Sequence, residues 1–346
     1  MGIPFETTVI GSLPKPPWLY DSSGFSTKVK ELHGSGGAWA YSGDELRAAQ
    51  DDAVRLAIGA QESAGLDEIT DGEQRRESYL SYVVRRMGGF DYQTFGEKWV
   101  RGGRRLAQVG RCTGPVTWPG PMLIEDLRFA VAHSRTPVKI TLPGPMTVCD
   151  SILNEFYADE ESMAMAVADA LNSEAMVLAS EGASVVQFDE PVFSRYPEKV
   201  LAWGIEALDR SAHGVECPTA VHVCYSYPLP GVPRPIAPSY PAILPALERS
   251  QIDQVALEFE TPGLSVDLLT LCPSKTVLFG CVANTSEEVE SPEGIARRLL
   301  EAAQRHPAER LKAAPDCGLV PLTGTSARRK LRAMAEGARL ARETSA

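Results

Sequence analysis

The chain has 346 residues, 44% of them hydrophobic and 23% charged, with a formal charge of −11 at neutral pH. That length holds one closed α/β barrel of roughly 250 residues plus insertions, and the negative balance excludes a nucleic-acid backbone or an anionic membrane surface as the expected partner. No apolar run is long enough to cross a bilayer, and the opening residues lack the basic-then-apolar order of a secretory leader, so a cytoplasmic location is expected.

Short β-branched or apolar runs recur with helical stretches between them, the pattern of a parallel sheet wound by crossover helices. In chain order they cover residues 7–10, 67–70, 138–142, 184–188, 219–224, 254–258, 276–281 and 311–314. Between them, residues 43–64 open with the acidic pair Asp44 and Glu45, and residues 160–181 end at Gly182; both read as amphipathic helices. Residues 76–137 are too long for one crossover and carry Gly-Gly and Trp-Pro-Gly-Pro breaks, which predicts an insertion with its own hairpin or small helices. The expected fold is a (β/α)8 TIM barrel over residues 1–346, with that insertion after the second strand.

In such a barrel the active site is built at the C-terminal ends of the strands. Polar residues collect there: Gly11-Ser12 after the first run, Asp71-Gly72-Glu73 after the second, Asp189-Glu190-Pro191 after the fourth. His222 and Cys224 end the fifth run, Glu258 ends the sixth and Cys317 follows the eighth. A strand's period of two puts His222 and Cys224 on one face, and imidazole with two thiolates, the second from Cys317, is a donor set that suits zinc. The fourth ligand falls to Glu258 or Glu260, which also share a face; Glu258 lies nearer the barrel.

Of the seven cysteines, Cys112, Cys149, Cys217 and Cys272 read as small buried hydrophobes, and an odd, scattered set in a long chain does not form a disulfide framework. Cys281, at the end of the seventh run, is the one other cysteine placed to approach the site. His33, His133, His213 and His306 read as surface residues, as does the run Arg328, Arg329, Lys330 and Arg332 on the last helix. Arg75 and Arg76 read as solvated or paired with Glu77.

The motifs Thr8-Val9-Ile10-Gly11-Ser12-Leu13-Pro14, Asp71-Gly72-Glu73, Gly144-Pro145-Met146-Thr147, Gln187-Phe188-Asp189-Glu190-Pro191, His222-Val223-Cys224-Tyr225 and Pro315-Asp316-Cys317-Gly318, in this order, resemble cobalamin-independent methionine synthases. The resemblance implies a (β/α)8 barrel with zinc on His222, Cys224, Glu258 and Cys317, and homocysteine bound to the metal through its sulfur. It implies that Ile10, Gly11, Ser12, Glu73 and Asp189 hold the amino acid part of that substrate, with Glu73 and Asp189 the catalytic carboxylates.

The chain resembles the catalytic half of the two-barrel, folate-dependent enzymes. Where they carry a pterin-stacking tryptophan it has Asp150-Ser151, and where they carry Asp-Ile-His it has Ala283-Asn284-Thr285. It is more similar to the short, core forms. The resemblance therefore implies methionine formation by a route other than the usual folate one, with methylcobalamin, a corrinoid protein or a methylated folate as candidate donors. The competing expectation is zinc-dependent alkyl transfer to a different small thiol, as in epoxide-opening thiol transferases of the same barrel.

Overall fold

The computed structural model describes residues 3–20, 39–227 and 236–345. Ten strands are present among them: β1 (Glu6–Thr7), β2 (Gly88–Val100), β3 (Arg105–Thr117), β4 (Ile140–Pro143), β5 (Leu153–Asn154), β6 (Val186–Asp189), β7 (Thr219–Val223), β8 (Gln254–Leu257), β9 (Thr276–Val282) and β10 (Leu311–Pro315). Seven form one parallel sheet in the order β1-β10-β9-β8-β7-β6-β4. The molecule is thus α/β with a parallel sheet and crossover helices. Its strands β4, β6, β7, β8 and β10 are buried at every residue, as expected of strands covered on both faces.

The second run differs from expectation. Residues 67–70 make a single parallel bridge, Ile69 to Val138, rather than a strand. They still lie between the two edge strands of the sheet: the Asp67 and Glu68 amides donate to the Thr7 carbonyl at 3.2 and 3.0 Å, and the Ile69 amide donates to the Pro137 carbonyl at 3.0 Å. The ladder is short because the Asp67 carboxylate accepts both the amide and the hydroxyl of Thr7 at 2.8 Å, so a side chain takes a donor that a neighbouring carbonyl would otherwise accept.

Helix Gly43–Ala64 stops at Gly65, whose φ of 84° suits the left-handed closing turn. Helix Glu160–Ser180 starts at Asp159, which accepts the Ser162 amide as an N-cap does. Within residues 76–137, β2 and β3 form a long antiparallel hairpin, extended by β5 alongside β3, and helix Ile124–His133 follows. The turn of the hairpin begins with Arg101 at a φ of 56°.

A polar network occupies the N-terminal ends of the strands. Glu68 accepts from Thr8 at 2.9 Å and Ser184 at 3.1 Å and faces Lys312 at 3.7 Å and the fully buried Lys139 at 4.0 Å. The Lys139 ammonium also donates to the Val9 carbonyl.

Several polar residues expected at the surface are buried. Arg75 pairs with Asp126 at 2.7 Å and with Asp51, and Arg76 lies fully inside, donating to the carbonyl and hydroxyl of Thr141 at 2.9 and 3.0 Å. Lys330 is buried against Glu290 at 2.8 Å, because the last helix sits on helix Pro292–Ala303 and turns this residue inward. His306 is buried with Nε2 bonded to the Lys275 carbonyl at 2.9 Å. His133 and His213 are exposed, and His33 lies outside the described residues.

Candidate metal centre and active site

The end of β7 and the turn after β10 bring three donors together. His222, Cys224 and Cys317 are all buried, with ligand atoms within 4.8 Å of one another. The two sulfurs are 3.5 Å apart, well beyond a disulfide bond of about 2.05 Å and near the roughly 3.8 Å that two zinc–sulfur bonds of about 2.3 Å span at the tetrahedral angle. His222 Nδ1 lies 3.0 Å from Asp189 Oδ1, while its Nε2 is buried with no hydrogen-bond partner. A buried ring nitrogen without a partner is costly, and a metal ion would satisfy it. The donor set and this orphaned nitrogen fit a zinc ion.

The charges are coupled. A hydrogen bond from Cys317 and the adjacent His222 overcome burial and hold the Cys224 thiol well below its ordinary range, while Cys317 is pushed well above it. Burial opposes the imidazolium of His222, but Cys224 and Asp189 outweigh it and push the group up to about 10. This is a site with a strong demand for positive charge.

Glu258, fully buried after β8, accepts the Tyr225 amide at 2.9 Å, and its charge contributes to the raised Cys317 thiol. It is outside the set of donors within 4.8 Å. Glu260 turns away, 3.3 Å from Arg298. Asp316 explains how the two loops stay in register: its carboxylate accepts the amides of Phe259, Glu260 and Thr261 at 2.9, 2.9 and 2.6 Å, so it ties the turn after β8 to the turn that carries Cys317. Burial nevertheless pushes this carboxyl up to about 6.

On the other side stand the residues of the first and second runs. Ile10 packs with Ala256, Leu278 and Ala314, and its carbonyl accepts from Gln187, which also donates to Asp189 at 2.8 Å. Gly11 lies so close to Glu73 that a Cβ would sit 2.8 Å from its Oε1. Glu73 itself has a φ of 55°, a conformation costly for a residue with a side chain, and Thr141 donates to its carboxylate at 2.8 Å. Burial raises the Glu73 carboxyl; Arg76 opposes this and Asp189 adds to it, which places the two carboxylates within electrostatic reach. Ser12 Oγ is 2.7 Å from the Tyr227 hydroxyl.

Cys281 is buried but stays outside the donor cluster, with its thiol directed at the Ala314 carbonyl. Cys112, Cys149 and Cys272 are buried and free, and Cys217 is half-buried. Local sequence assigns no role to Tyr227, Asp316, Arg101 or Arg195. For Tyr227 the available signal was its place three residues after Cys224, and for Asp316 its place beside Cys317; neither spacing identifies a contact.

A family model described as the catalytic domain of cobalamin-independent synthase matches residues 5–340. The chain is 30% identical to a methionine synthase of Sulfurisphaera tokodaii, covering 97% of this chain and 92% of the relative. It is 30% identical to a methionine synthase of Saccharolobus solfataricus, covering 97% and 95%. Among solved structures, a B12-independent methionine synthase from Shewanella sp. W3-18-1, in complex with selenomethionine, superposes with a TM-score of 0.90 at 32% identity, covering 99% of both chains. By this match along almost its whole length, the chain belongs to the cobalamin-independent methionine synthase family, as a catalytic domain of that family.

Proposed function

We propose that the chain transfers a methyl group to the thiol of homocysteine, forming methionine, at a zinc ion held by His222, Cys224, Cys317 and Glu258. The observation that carries this reading is the buried, unpartnered Nε2 of His222 converging with two thiols 3.5 Å apart in a member of a methionine synthase family. Bound there, zinc would convert a thiol with an ordinary pKa near 8.5 into a thiolate at neutral pH.

The protein's own residues then have separable tasks. Asp189 fixes the ring of His222 through Nδ1, the usual way a carboxylate orients a ligating histidine. Glu73 and Asp189 supply negative charge for the ammonium of the amino acid, and Ser12 with the backbone at Ile10 and Gly11 supplies donors for its carboxylate. Burial of all these groups keeps water from competing for them.

The same reading takes residues 1–346 as one catalytic barrel, with residues 67–70 in the second of eight strand positions and residues 76–137 as an insertion after it. It places the protein in the cytoplasm; among the described residues no helix is long and apolar enough to cross a membrane. The donor is methylcobalamin, a corrinoid protein or a methylated folate. The test is methionine formation, followed by mass spectrometry, from zinc-loaded protein and homocysteine with each donor. Methionine from one of them is the expected result. Bound homocysteine with no methionine from any donor overturns the methylation reading, and turnover of another thiol in its place establishes the alkyl-transfer alternative.

A further inference from the structure

The turn that leaves Cys224 sends a side chain back to the first loop. Ser226 has a φ of 68°, a conformation costly for a residue with a Cβ, and its amide donates to Cys224 Sγ at 3.3 Å. Neighbouring elements hold the bend: Arg195 donates to the Ser226 hydroxyl and Arg101 to the Tyr227 carbonyl at 3.1 Å. The bend delivers the Tyr227 hydroxyl to within 2.7 Å of Ser12 Oγ.

This hydroxyl pair adjoins both the thiol cluster and Glu73. A Cβ at Gly318, the residue after Cys317, would fall 2.1 Å from Ser12 Oγ and 2.4 Å from the Tyr227 hydroxyl, so both oxygens sit directly over the backbone beside a candidate metal donor. Gly11, on the other flank of Ser12, is equally tight against Glu73, whose Oε1 would lie 2.8 Å from a Cβ there. The arrangement is pinned by the Leu319 amide, which donates to the Ser12 carbonyl at 2.8 Å, and by Asn284 Nδ2, which donates to the Gly318 carbonyl at 3.3 Å. Two hydroxyls carry two protons, and the bond between them uses one, so the pair keeps a donor to offer a third group. Burial, and then the negative charge of Cys317 and Glu73, holds the Tyr227 phenol well above its ordinary range, which keeps it a neutral donor at working pH.

We infer that Tyr227 determines substrate specificity: with Ser12 it donates to the carboxylate of the thiol substrate, and so selects thiols with an amino acid head over simple amine or alkyl thiols. This rests on the proposed function above. The three functional groups of homocysteine then separate within the site, with sulfur at the donor cluster, ammonium at Glu73 and Asp189, and carboxylate at the hydroxyl pair. A hydrogen bond to a charged group contributes more than one between neutral groups, and a site built to bond a ligand group rejects the analogue that lacks it.

The test is calorimetric titration of zinc-loaded protein with homocysteine and with homocysteamine, which keeps the thiol and the ammonium and lacks the carboxylate. The parent is expected to bind homocysteine at least about tenfold more tightly, and Tyr227→Phe to lose about tenfold or more of that affinity, with homocysteamine affinity and zinc content unchanged. Ser12→Ala reads the other half of the pair: it shows the same selective loss, and the double variant loses less than the product of the two single effects. Unchanged homocysteine affinity in Tyr227→Phe, equal loss for both thiols, or independent effects of the two variants overturns the inference. Failure here is distinguishable from failure of the proposed function: a parent that binds neither thiol removes that function and this inference together, whereas a parent that binds both equally keeps thiol binding and removes only the role of Tyr227.

Discussion

One ring nitrogen of His222 is bonded to Asp189 and the other, equally buried, has no partner. An unsatisfied buried polar atom costs on the order of 1–3 kcal/mol, which a ligand must offset if the arrangement is to persist. Asp189 has two tasks in this account, orienting the ring and attracting the substrate ammonium. Asp189→Asn is therefore expected to lower zinc affinity by about 10- to 100-fold, the usual consequence of removing such a partner, and to weaken homocysteine binding as well. Chelator competition measures the first effect and calorimetry the second; unchanged zinc affinity would remove Asp189 from the metal's support. His222 and Cys224 were legible from the period of a strand, since residues two apart share a face. Cys317 was legible as a residue type at a strand end. Tyr227 and Arg101 were not, because their contacts join segments more than 100 residues apart and no local pattern encodes them.

At the scale of elements, the two ends of the sheet divide the work. The C-terminal ends hold the His222, Cys224 and Cys317 cluster proposed to bind metal, and the N-terminal ends hold the network of Glu68 with Lys139, Lys312, Thr8 and Ser184. Glu68→Gln leaves Lys139 buried beside a neutral amide and is expected to cost about 3–5 kcal/mol of stability without changing zinc content. Denaturant unfolding and metal analysis check this; lost zinc in a variant that still folds would mean the two ends are not independent. His306 gives a pH prediction. Burial lowers its affinity for a proton below the ordinary 6.5, so the unfolded chain takes up the proton first. Its contribution to stability is then fully present above about pH 6.5 and lost as pH falls through the lower folded value. Thermal unfolding between pH 7.5 and 5 is expected to fall less steeply in His306→Gln than in the parent. The alternation of runs and helices was readable because buried parallel strands and amphipathic helices leave different periods. Residues 67–70 were readable as a run but not as a bridge, since Asp67 takes the ladder amide of Thr7 through its side chain. His306 and Lys330 read as surface residues because composition alone does not reveal which helix face a neighbour covers.

For the whole molecule, the family match and the 0.90 TM-score with a B12-independent methionine synthase agree with a donor cluster formed at one end of the sheet by the end of β7 and the turn after β10. The central claim is that the cluster is a zinc site that takes the substrate's sulfur, and zinc X-ray absorption on protein prepared without chelators, before and after adding homocysteine, tests it most directly. One zinc per chain, gaining a sulfur neighbour at about 2.3 Å when homocysteine is added, is the predicted result. Protein without zinc, or a coordination shell that homocysteine leaves unchanged, would contradict it.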